Sequence, residues 1–288
     1  MRLSARAPAK INRELRVGRI RPDGYHEIRS RMTSISLADT LSVEDAEGLE
    51  LSCDAPAVPA GDENIVVRAA RLLARGAGIE PRARIQLEKR VPMGGGLGGG
   101  SADAAITLRL LASLWKTGAD AGDLSDIAAA LGSDVPFFLT GGEANVAGRG
   151  EVVTPVEDSA PAELLLFVPP FPVSTASVYR EHAGRFALPE RLEIERPGAQ
   201  KFLGPNDLAS AVLAIEPRME AYVESAGRIT RDHLISGSGA TIVLHAPAPG
   251  AAAVLAARHP EAGVYPCRTL TRAEFQQATS PSPRGGLP

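Results

Sequence analysis

Four groups of residues in this chain have types and spacings that could do chemistry. Lys10 and Asn12 lie two apart in Ala-Pro-Ala-Lys-Ile-Asn-Arg-Glu-Leu-Arg-Val, residues 7–17. Tyr25 and His26 follow the turn Pro22-Asp23-Gly24. Asp134 stands between a helix end and the apolar run Val135-Pro136-Phe137-Phe138-Leu139. Pro92-Met93-Gly94-Gly95-Gly96-Leu97-Gly98-Gly99-Gly100-Ser101 contains six glycines in seven positions. A backbone this poor in Cβ atoms reaches positive φ at little cost and lets a ligand come close to its N–H groups. Ser101 sits where an N-cap belongs, and Ala104, Ala105, Leu108, Leu111, Ala112 and Trp115 recur after it at helical spacing. A glycine loop opening a helix presents unpaired N–H donors and a positive dipole end, which suits a phosphate.

The loop is not a Walker A motif, because no Gly-Lys-Ser/Thr follows. Gly94, Gly96 and Gly99 match G-x-G-x-x-G, as any glycine tract does. The acidic residues at dinucleotide spacing, Asp120 and Asp123, follow a helix rather than a strand. What is left is a phosphate loop without its own lysine, whose cation must come from elsewhere. The chain offers only Lys10, Lys89, Lys116 and Lys201. The other groups read two ways. Lys10 and Asn12 are either the solvated face of an edge strand or half of a polar site. Tyr25 and His26 either hold a planar ring or finish a turn. Asp134 is either a turn or cap aspartate or a paired carboxylate, since a free one beside an apolar run is expensive.

These groups need elements to position them. Period two over 7–17 puts Ala9, Ile11, Leu15 and Val17 on one face and Lys10, Asn12, Glu14 and Arg16 on the other, with Arg13 breaking the apolar face. Strands are predicted at 27–37, 40–44, 49–53 and 83–88, the last feeding the glycine loop, with an amphipathic helix at 64–74. A helix at 123–131 precedes Asp134, and Gly141-Gly142 and Gly148-Arg149-Gly150 mark hairpin turns. Beyond a boundary near 155–160 come a buried strand at 164–168, a rigid loop at 169–175 and a helix opening at 177–182. Helices at 207–215 and 217–226, a second glycine loop at 235–241, a strand at 242–245 and a helix at 249–257 follow. The Ser-Pro-Ser-Pro tail reads as disordered.

With 288 residues, 44% of them hydrophobic, the chain can fill two modest cores. A net charge of -3 without a basic block gives no electrostatic support for a nucleic-acid partner. No run reaches membrane-spanning length and the first residues lack an apolar signal core. Cys53 and Cys267 are isolated, fit no metal spacing and read as reduced thiols. The expected protein is cytoplasmic, with no nucleic-acid or membrane partner.

Three motifs stand in order: Pro8-Ala9-Lys10-Ile11-Asn12, the glycine loop with Ser101, and Ser236-Gly237-Ser238-Gly239-Ala240. Together they resemble the GHMP superfamily of galactose, homoserine, mevalonate and phosphomevalonate kinases, over nearly the whole chain. Within it, Arg21-Pro22-Asp23-Gly24-Tyr25-His26, Asp62-Glu63-Asn64, the full glycine run, Ser133-Asp134-Val135-Pro136-Phe137 and Asn206-Asp207-Leu208 resemble the 4-diphosphocytidyl-2-C-methyl-D-erythritol kinases of the non-mevalonate isoprenoid pathway.

The resemblance implies an α+β fold with a domain like ribosomal protein S5 domain 2 at 1–157, a ferredoxin-like domain at 158–276 and a disordered tail at 277–288. It implies transfer of the ATP γ-phosphoryl group to the 2-hydroxyl of a small substrate bearing a cytidine diphosphate group. Lys10 and Asp134 would be catalytic, Asp134 accepting the hydroxyl proton and Lys10 stabilising charge. Pro92, Met93, Gly94, Gly95, Gly96, Leu97, Gly98, Gly99, Gly100 and Ser101 would hold ATP, with Asn64 and Lys89 bordering the adenine. Tyr25 and Tyr179 would stack on cytosine, His26 would read its edge, and Asn12 and Thr175 would line the acceptor side. Mg²⁺ would accompany ATP, touched by Ser101, without a dedicated carboxylate cage. The family usually has apolar residues in place of Arg13 and Glu14; Glu14 is expected to pair with Arg16 rather than compete for Lys10. An acyclic acceptor without a base would have no use for a stacking clamp, which separates this reading from sibling kinases.

Overall fold

Two 19-residue strands, β1 (Arg2–Ile20) and β2 (His26–Glu44), form the frame on which both halves of the molecule are built. The computed structural model describes residues 1–185, 189, 192 and 202–283. The two strands run antiparallel through the predicted turn, where Gly24 takes φ 83° and Asp23 accepts a hydrogen bond from the Tyr25 N–H. The strands expected at 27–37 and 40–44 are therefore one element.

β3 (Leu49–Cys53) and β4 (Ala83–Glu88) pair in parallel, so they need a crossover, which α1 (Ile65–Ala77) supplies. Asn64 caps α1 by accepting from the Val66 N–H at 2.8 Å, and Gly78 ends it at φ 68°. The strand order β3-β4-β2-β1 is extended by the hairpin β5 (Glu143–Gly148) and β6 (Val152–Pro155), which joins the other end of β2. On this sheet lie α1, α2 (Gly99–Trp115), α3 (Ala121–Leu131) and the short α4 (Phe137–Thr140), over a core that includes Leu41, Ile85, Ile106, Leu111, Phe137 and Phe138.

The second sheet is antiparallel throughout, in the order β10 (Gly263–Arg268), β7 (Glu163–Val168), β9 (Ile242–His245), β8 (His233–Ile235). Helices α5 (Thr175–Arg185), α6 (Ala209–Ile215), α7 (Met219–Ile229) and α8 (Ala251–Arg258) accompany it. Its core gathers Phe167, Val178, Val212, Met219, Ile242 and Leu255. A third cluster joins the halves: Ala9, Ile11 and Ile35 from the first pack with Leu164, Leu166 and Val243 from the second. The α+β expectation holds.

Two expectations need correction. The tail expected at 277–288 is structured in its described part, up to Pro283. α9 (Arg272–Thr279) opens with a capping box between Thr271 and Glu274, and β11 (Ser282–Pro283) pairs with β1 at Leu3 and Ser4. Phe275 is fully buried in the first core, so residues 272–283 return to the first sheet instead of closing the second domain at 276. Residues 284–288 lie outside the described residues.

The other correction concerns β1. Its pairing with β2 shifts register between Pro8 and Lys10, between Asn12 and Glu14, and between Val17 and Ile20. A bulge leaves one residue unpaired and reverses which face the next residues present. Leu3, Ala5 and Ala7 pack into the first core, and past the shift between Pro8 and Lys10 the residues Ala9 and Ile11 pack into the joining cluster. After the bulge at Arg13, Leu15 and not Glu14 shares a cavity with Lys10 and Asn12.

Candidate active site

The glycine run crosses the top of the joining cluster between β4 and α2. Gly94, Gly96 and Gly98 take φ of 73°, 77° and 71°, alternating with Gly95 and Leu97. Leu97 is the anchor: its side chain is buried in the joining cluster and its carbonyl accepts the Lys10 N–H at 2.9 Å. At several of its glycines the loop leaves no room for a Cβ. A Cβ on Gly98 would stand 2.8 Å from Phe138 Cζ and 3.1 Å from Lys10 Cγ. One on Gly96 would stand 2.8 Å from the Ser236 carbonyl oxygen.

Helix α2 begins at Gly99, with Gly98 as its left-handed cap, so Ser101 is inside the first turn and is not the N-cap. Gly98 makes no side-chain cap hydrogen bond, so the cap leaves the first N–H groups of α2 without a side-chain partner from it.

Beneath this loop runs the second glycine loop, 235–241. The Thr241 N–H donates to the Gly95 carbonyl at 3.3 Å, and a Cβ on Gly239 would fall 2.4 Å from Gly95 backbone atoms. Asn206 pins this lower loop by donating to the Ile235 and Gly237 carbonyls, both at 2.7 Å. Asp207 accepts from the Val17 N–H, so the Asn206-Asp207 pair ties β1 to the second glycine loop.

Two cavities open from this core. The first, about 470 Å³, is lined by Pro92 to Ser101 together with Asn64, Lys89 and Asp103. The second, about 700 Å³, is lined by Lys10, Asn12, Tyr25, His26, Asp134, Thr175 and Tyr179, among others. They share Gly96, Gly98 and Ser101. Every residue to which the resemblance gave a catalytic or binding role thus lines one cavity or the other.

The polar side of the second cavity is a fixed chain of contacts. Lys10 Nζ donates to Asn12 Oδ1 at 2.7 Å and lies 3.3 Å from Asp134 Oδ2. Asn12 donates its amide N–H to Ser30 Oγ at 2.7 Å and its backbone N–H to Ser236 Oγ at 3.1 Å. Asn12 is therefore committed to holding Lys10. The lysine side chain is only 5% exposed, whereas that of Asp134 is 31% exposed. Asp134 caps no helix, since α3 ends on Gly132 and α4 starts after Pro136.

At the far end, the rings of His26 and Tyr179 sit 5.3 Å apart, tilted by 31°. His26 Nδ1 lies 3.1 Å from the Gly18 carbonyl, which can only accept. In a neutral imidazole that leaves Nε2 as the acceptor. Burial, with the Asp134 charge second, raises the Tyr179 pKa, so its hydroxyl stays a neutral donor. Tyr25 is half-exposed, with the Arg149 guanidinium 5.0 Å from its ring centroid. Thr175 Oγ1 meets Ser238 Oγ at 2.9 Å, linking α5 to the second glycine loop.

Residues not foreseen from the sequence support the first cavity. Lys89 is not a free cation: its Nζ reaches Asp103 Oδ2 at 2.7 Å and also Asp39, and its backbone N–H donates to Asp54 at 2.8 Å. Asp39, fully buried, also accepts the Arg90 and Val91 N–H groups where the glycine run begins. Burial pushes the Asp103 carboxyl up to about 7, against the pull of Lys89, and its Oδ1 has no hydrogen-bond partner. The available signal was a lone aspartate inside each of two apolar runs, Ile35 to Leu41 and Ala102 to Leu108.

Arg13 and Glu14 point away from both cavities. Arg13 is buried, bonded to Glu143 at 2.7 Å and lying 3.7 Å from the Phe202 ring centroid. Glu14 has Arg16 Nε at 3.3 Å.

Among the described residues there is no group of three or more His, Cys, Asp and Glu that could hold a metal ion. Ser101 lines both cavities. No helix among the described residues is long and apolar enough to cross a membrane.

Comparison with known proteins points the same way. Residues 64–142 match the family model for the GHMP kinases N terminal domain. The chain is 40% identical over 258 residues to the 4-diphosphocytidyl-2-C-methyl-D-erythritol kinase of Salinispora arenicola, covering 83% of this chain and 81% of that protein. It is 38% identical over 283 residues to the kinase of the same name from Paramagnetospirillum magneticum, covering 93% and 99%. A crystal structure of 4-(cytidine 5'-diphospho)-2C-methyl-D-erythritol kinase superposes with a TM-score of 0.77 at 33% identity, covering 92% of this chain and 98% of that one.

Proposed function

The chain belongs to the 4-diphosphocytidyl-2-C-methyl-D-erythritol kinases, and from that membership we propose how its site works. It is an ATP-dependent kinase that phosphorylates the 2-hydroxyl of 4-diphosphocytidyl-2-C-methyl-D-erythritol on the route to isoprenoid precursors. One observation carries the assignment of roles. The two cavities meet at Gly96, Gly98 and Ser101, and the Lys10–Asp134 pair stands on the second cavity's side of that meeting point.

In our reading ATP fills the first cavity, its phosphates on the N–H groups of Gly94 to Gly100 and the start of α2. Asn64 and Lys89 border the adenine. Mg²⁺ would be met by Ser101 and would neutralise phosphate charge. The acceptor fills the second cavity, with cytosine against Tyr25 and Tyr179 and its amino group donating to His26 Nε2. Asn12 and Thr175 line the erythritol end. Asp134 accepts the hydroxyl proton as the oxygen bonds to the γ-phosphorus and the bond to ADP breaks. Lys10 has three N–H bonds, of which Asn12 and Asp134 take two, so the third is free for the charge in transfer. A protein that uses ATP and a nucleotide-linked acceptor, with no disulfide between Cys53 and Cys267, fits the cytoplasm and needs no nucleic-acid or membrane partner.

The test offers the purified protein ATP, Mg²⁺ and four acceptors: the cytidine compound, galactose, homoserine and phosphomevalonate. Phosphorus NMR then locates the product. Only the cytidine compound should turn over, at its 2-hydroxyl. Asp134→Asn should lower kcat by about 10²–10⁴-fold, the range of a positioned general base, with the KM for ATP little changed. Unchanged turnover in that variant would remove Asp134 from the chemistry.

A further inference from the structure

Arg13 lines neither cavity, yet it follows Asn12 directly and is the residue that the bulge in β1 leaves over. Asn12 pairs with Met32 and Glu14 with Arg31, which are neighbours on β2, so Arg13 has no partner in the ladder. Its side chain is 7% exposed, and a guanidinium this deep needs a built set of partners. They are present. Nη1 donates to Glu143 Oε1 at 2.7 Å and to Ser159 Oγ at 3.1 Å, and Nε donates to the Phe202 carbonyl at 3.1 Å. The guanidinium also lies on the Phe202 ring, against which the His245 ring stacks at 4.4 Å. Glu143 is itself buried, and its carboxylate accepts from Arg31 Nε and from the Ser159 N–H.

These contacts tie three stretches of chain to one residue of β1: the start of β5 at Glu143, the link between the sheets at Ser159, and the segment that begins at Phe202. The last stretch leads to the site. The Gly204 N–H donates to the Arg13 carbonyl at 2.7 Å, the Leu15 N–H donates to the Pro205 carbonyl at 2.9 Å, and Asn206 then holds the second glycine loop. That loop carries Ser236, whose Oγ accepts the Asn12 N–H, and Asn12 holds Lys10. A buried ion pair thus fixes Arg13 away from the second cavity, while the residues before it, Asn12 and Lys10, line that cavity. Without the bulge, strict alternation would bring Glu14 to the face of Lys10 and set a second carboxylate beside the Lys10–Asp134 pair.

We propose that Arg13 is a positioning residue for phosphoryl transfer: gripped by Glu143, it holds the bulge that keeps Asn12 and Lys10 on the second cavity and Glu14 off it. This rests on the reading of Lys10 and Asp134 as the reacting pair.

The experiment measures acceptor and ATP kinetics and melting temperature for Arg13→Leu, Arg13→Lys and Glu143→Gln in the full chain. The NMR ammonium signals of isotope-labelled lysine are recorded alongside. The chain has four lysines, and loss of a signal in Lys10→Met assigns that of Lys10. Arg13→Leu should lower kcat about 10- to 100-fold, the cost of a displacement of about 1 Å at a reacting group, with the KM for ATP within about twofold of wild type. The Lys10 signal should move and that of Lys89 should stay. Glu143→Gln, which keeps the shape of the contact, should change kcat and the Lys10 signal in the same direction by less. Arg13→Lys keeps the charge without the planar fork and should recover part of kcat. An Arg13→Leu or Glu143→Gln protein that melts lower but keeps the wild-type kcat would overturn the proposal, because the pair would then only stabilise the fold. So would a lower kcat with the Lys10 signal unmoved. Should Arg13→Leu not fold, Glu143→Gln decides by the same two readings. Wild-type turnover in Lys10→Met would instead reject the reading of the reacting pair, before any Arg13 variant is compared.

Discussion

Asp103 shows how one residue can tie the first cavity to the solution pH. It is almost wholly buried, its Oδ2 meets Lys89, and its Oδ1 meets nothing. Burial raises its pKa from an ordinary 3.8 to about 7. A carboxyl with a higher pKa folded than unfolded keeps a proton that the unfolded chain gives up. Its contribution to stability therefore falls as pH rises from about 4 to about 7. Asp103→Asn removes that proton exchange, while Lys89 still has Asp39. The melting temperature of the variant relative to wild type should climb between pH 4.5 and pH 7.5, by a few degrees, since about 1 kcal/mol is worth roughly 2–4 °C at this size. A difference that stays flat over that window would show that Asp103 titrates normally. The charged residues of the site were unevenly legible in the sequence. Lys10 and Asp134 stood out because each lies inside a stretch that resembles a family motif, Pro8 to Asn12 and Ser133 to Phe137. Asp39 and Asp103 interrupt patterns too, but their partner is a lysine 50 residues from one and 14 from the other, and only the fold brings the three together.

The elements that place the site depend on backbone contacts more than on side chains. The two glycine loops touch through Gly95, Gly96 and Gly239, with no space for a Cβ between them. Gly239 lines neither of the two cavities. Even so, Gly239→Ala must push the upper loop, because the atoms it meets at 2.4 Å are backbone and cannot rotate aside. We expect the KM for ATP to rise about tenfold or more, equivalent to roughly 1.4 kcal/mol of binding. Gly76→Ala is the contrast: a Cβ there meets nothing within 4 Å on α1, so stability should rise by about 0.5–1 kcal/mol with the KM for ATP unchanged. Similar KM values for the two variants would mean that the lower loop does not support the upper one. Both glycine loops were visible as composition, but their contact was not. The same limit explains Glu14. Strict alternation puts it beside Lys10, and the bulge at Arg13 reverses the face. A bulge changes the pairing count without leaving a mark in polarity, and here the displaced residue is held by Glu143 and Phe202, both distant in sequence.

The path of the chain through the whole molecule makes its halves interdependent. After the second sheet is complete at Arg268, the chain returns: the Leu270 N–H donates to the Ser34 carbonyl, α9 packs beside β1, and β11 adds to its edge. Composition hid this return, because Ser-Pro-Ser-Pro reads as tail and the single apolar anchor, Phe275, is too little to show a period. Phe275 is the residue that closes the loop. It is fully buried and lies so close to Gly141 that a Cβ there would overlap its ring, at 2.0 Å. Phe275→Ala should destabilise the protein by about 3–5 kcal/mol, as removal of a buried phenylalanine ring does. The more telling question is where that loss is felt. The joining cluster holds Ile11 and Ile35 against Leu164 and Val243, and Gly204, Pro205 and Asp207 bond along β1, so the sheets share one core boundary. If they unfold as a unit, hydrogen exchange in Phe275→Ala should accelerate together in β4 of the first sheet and in β7 and β9 of the second. Faster exchange confined to the first sheet, with β7 and β9 protected as in wild type, would mean that the halves are separate folding units that meet only at the active site.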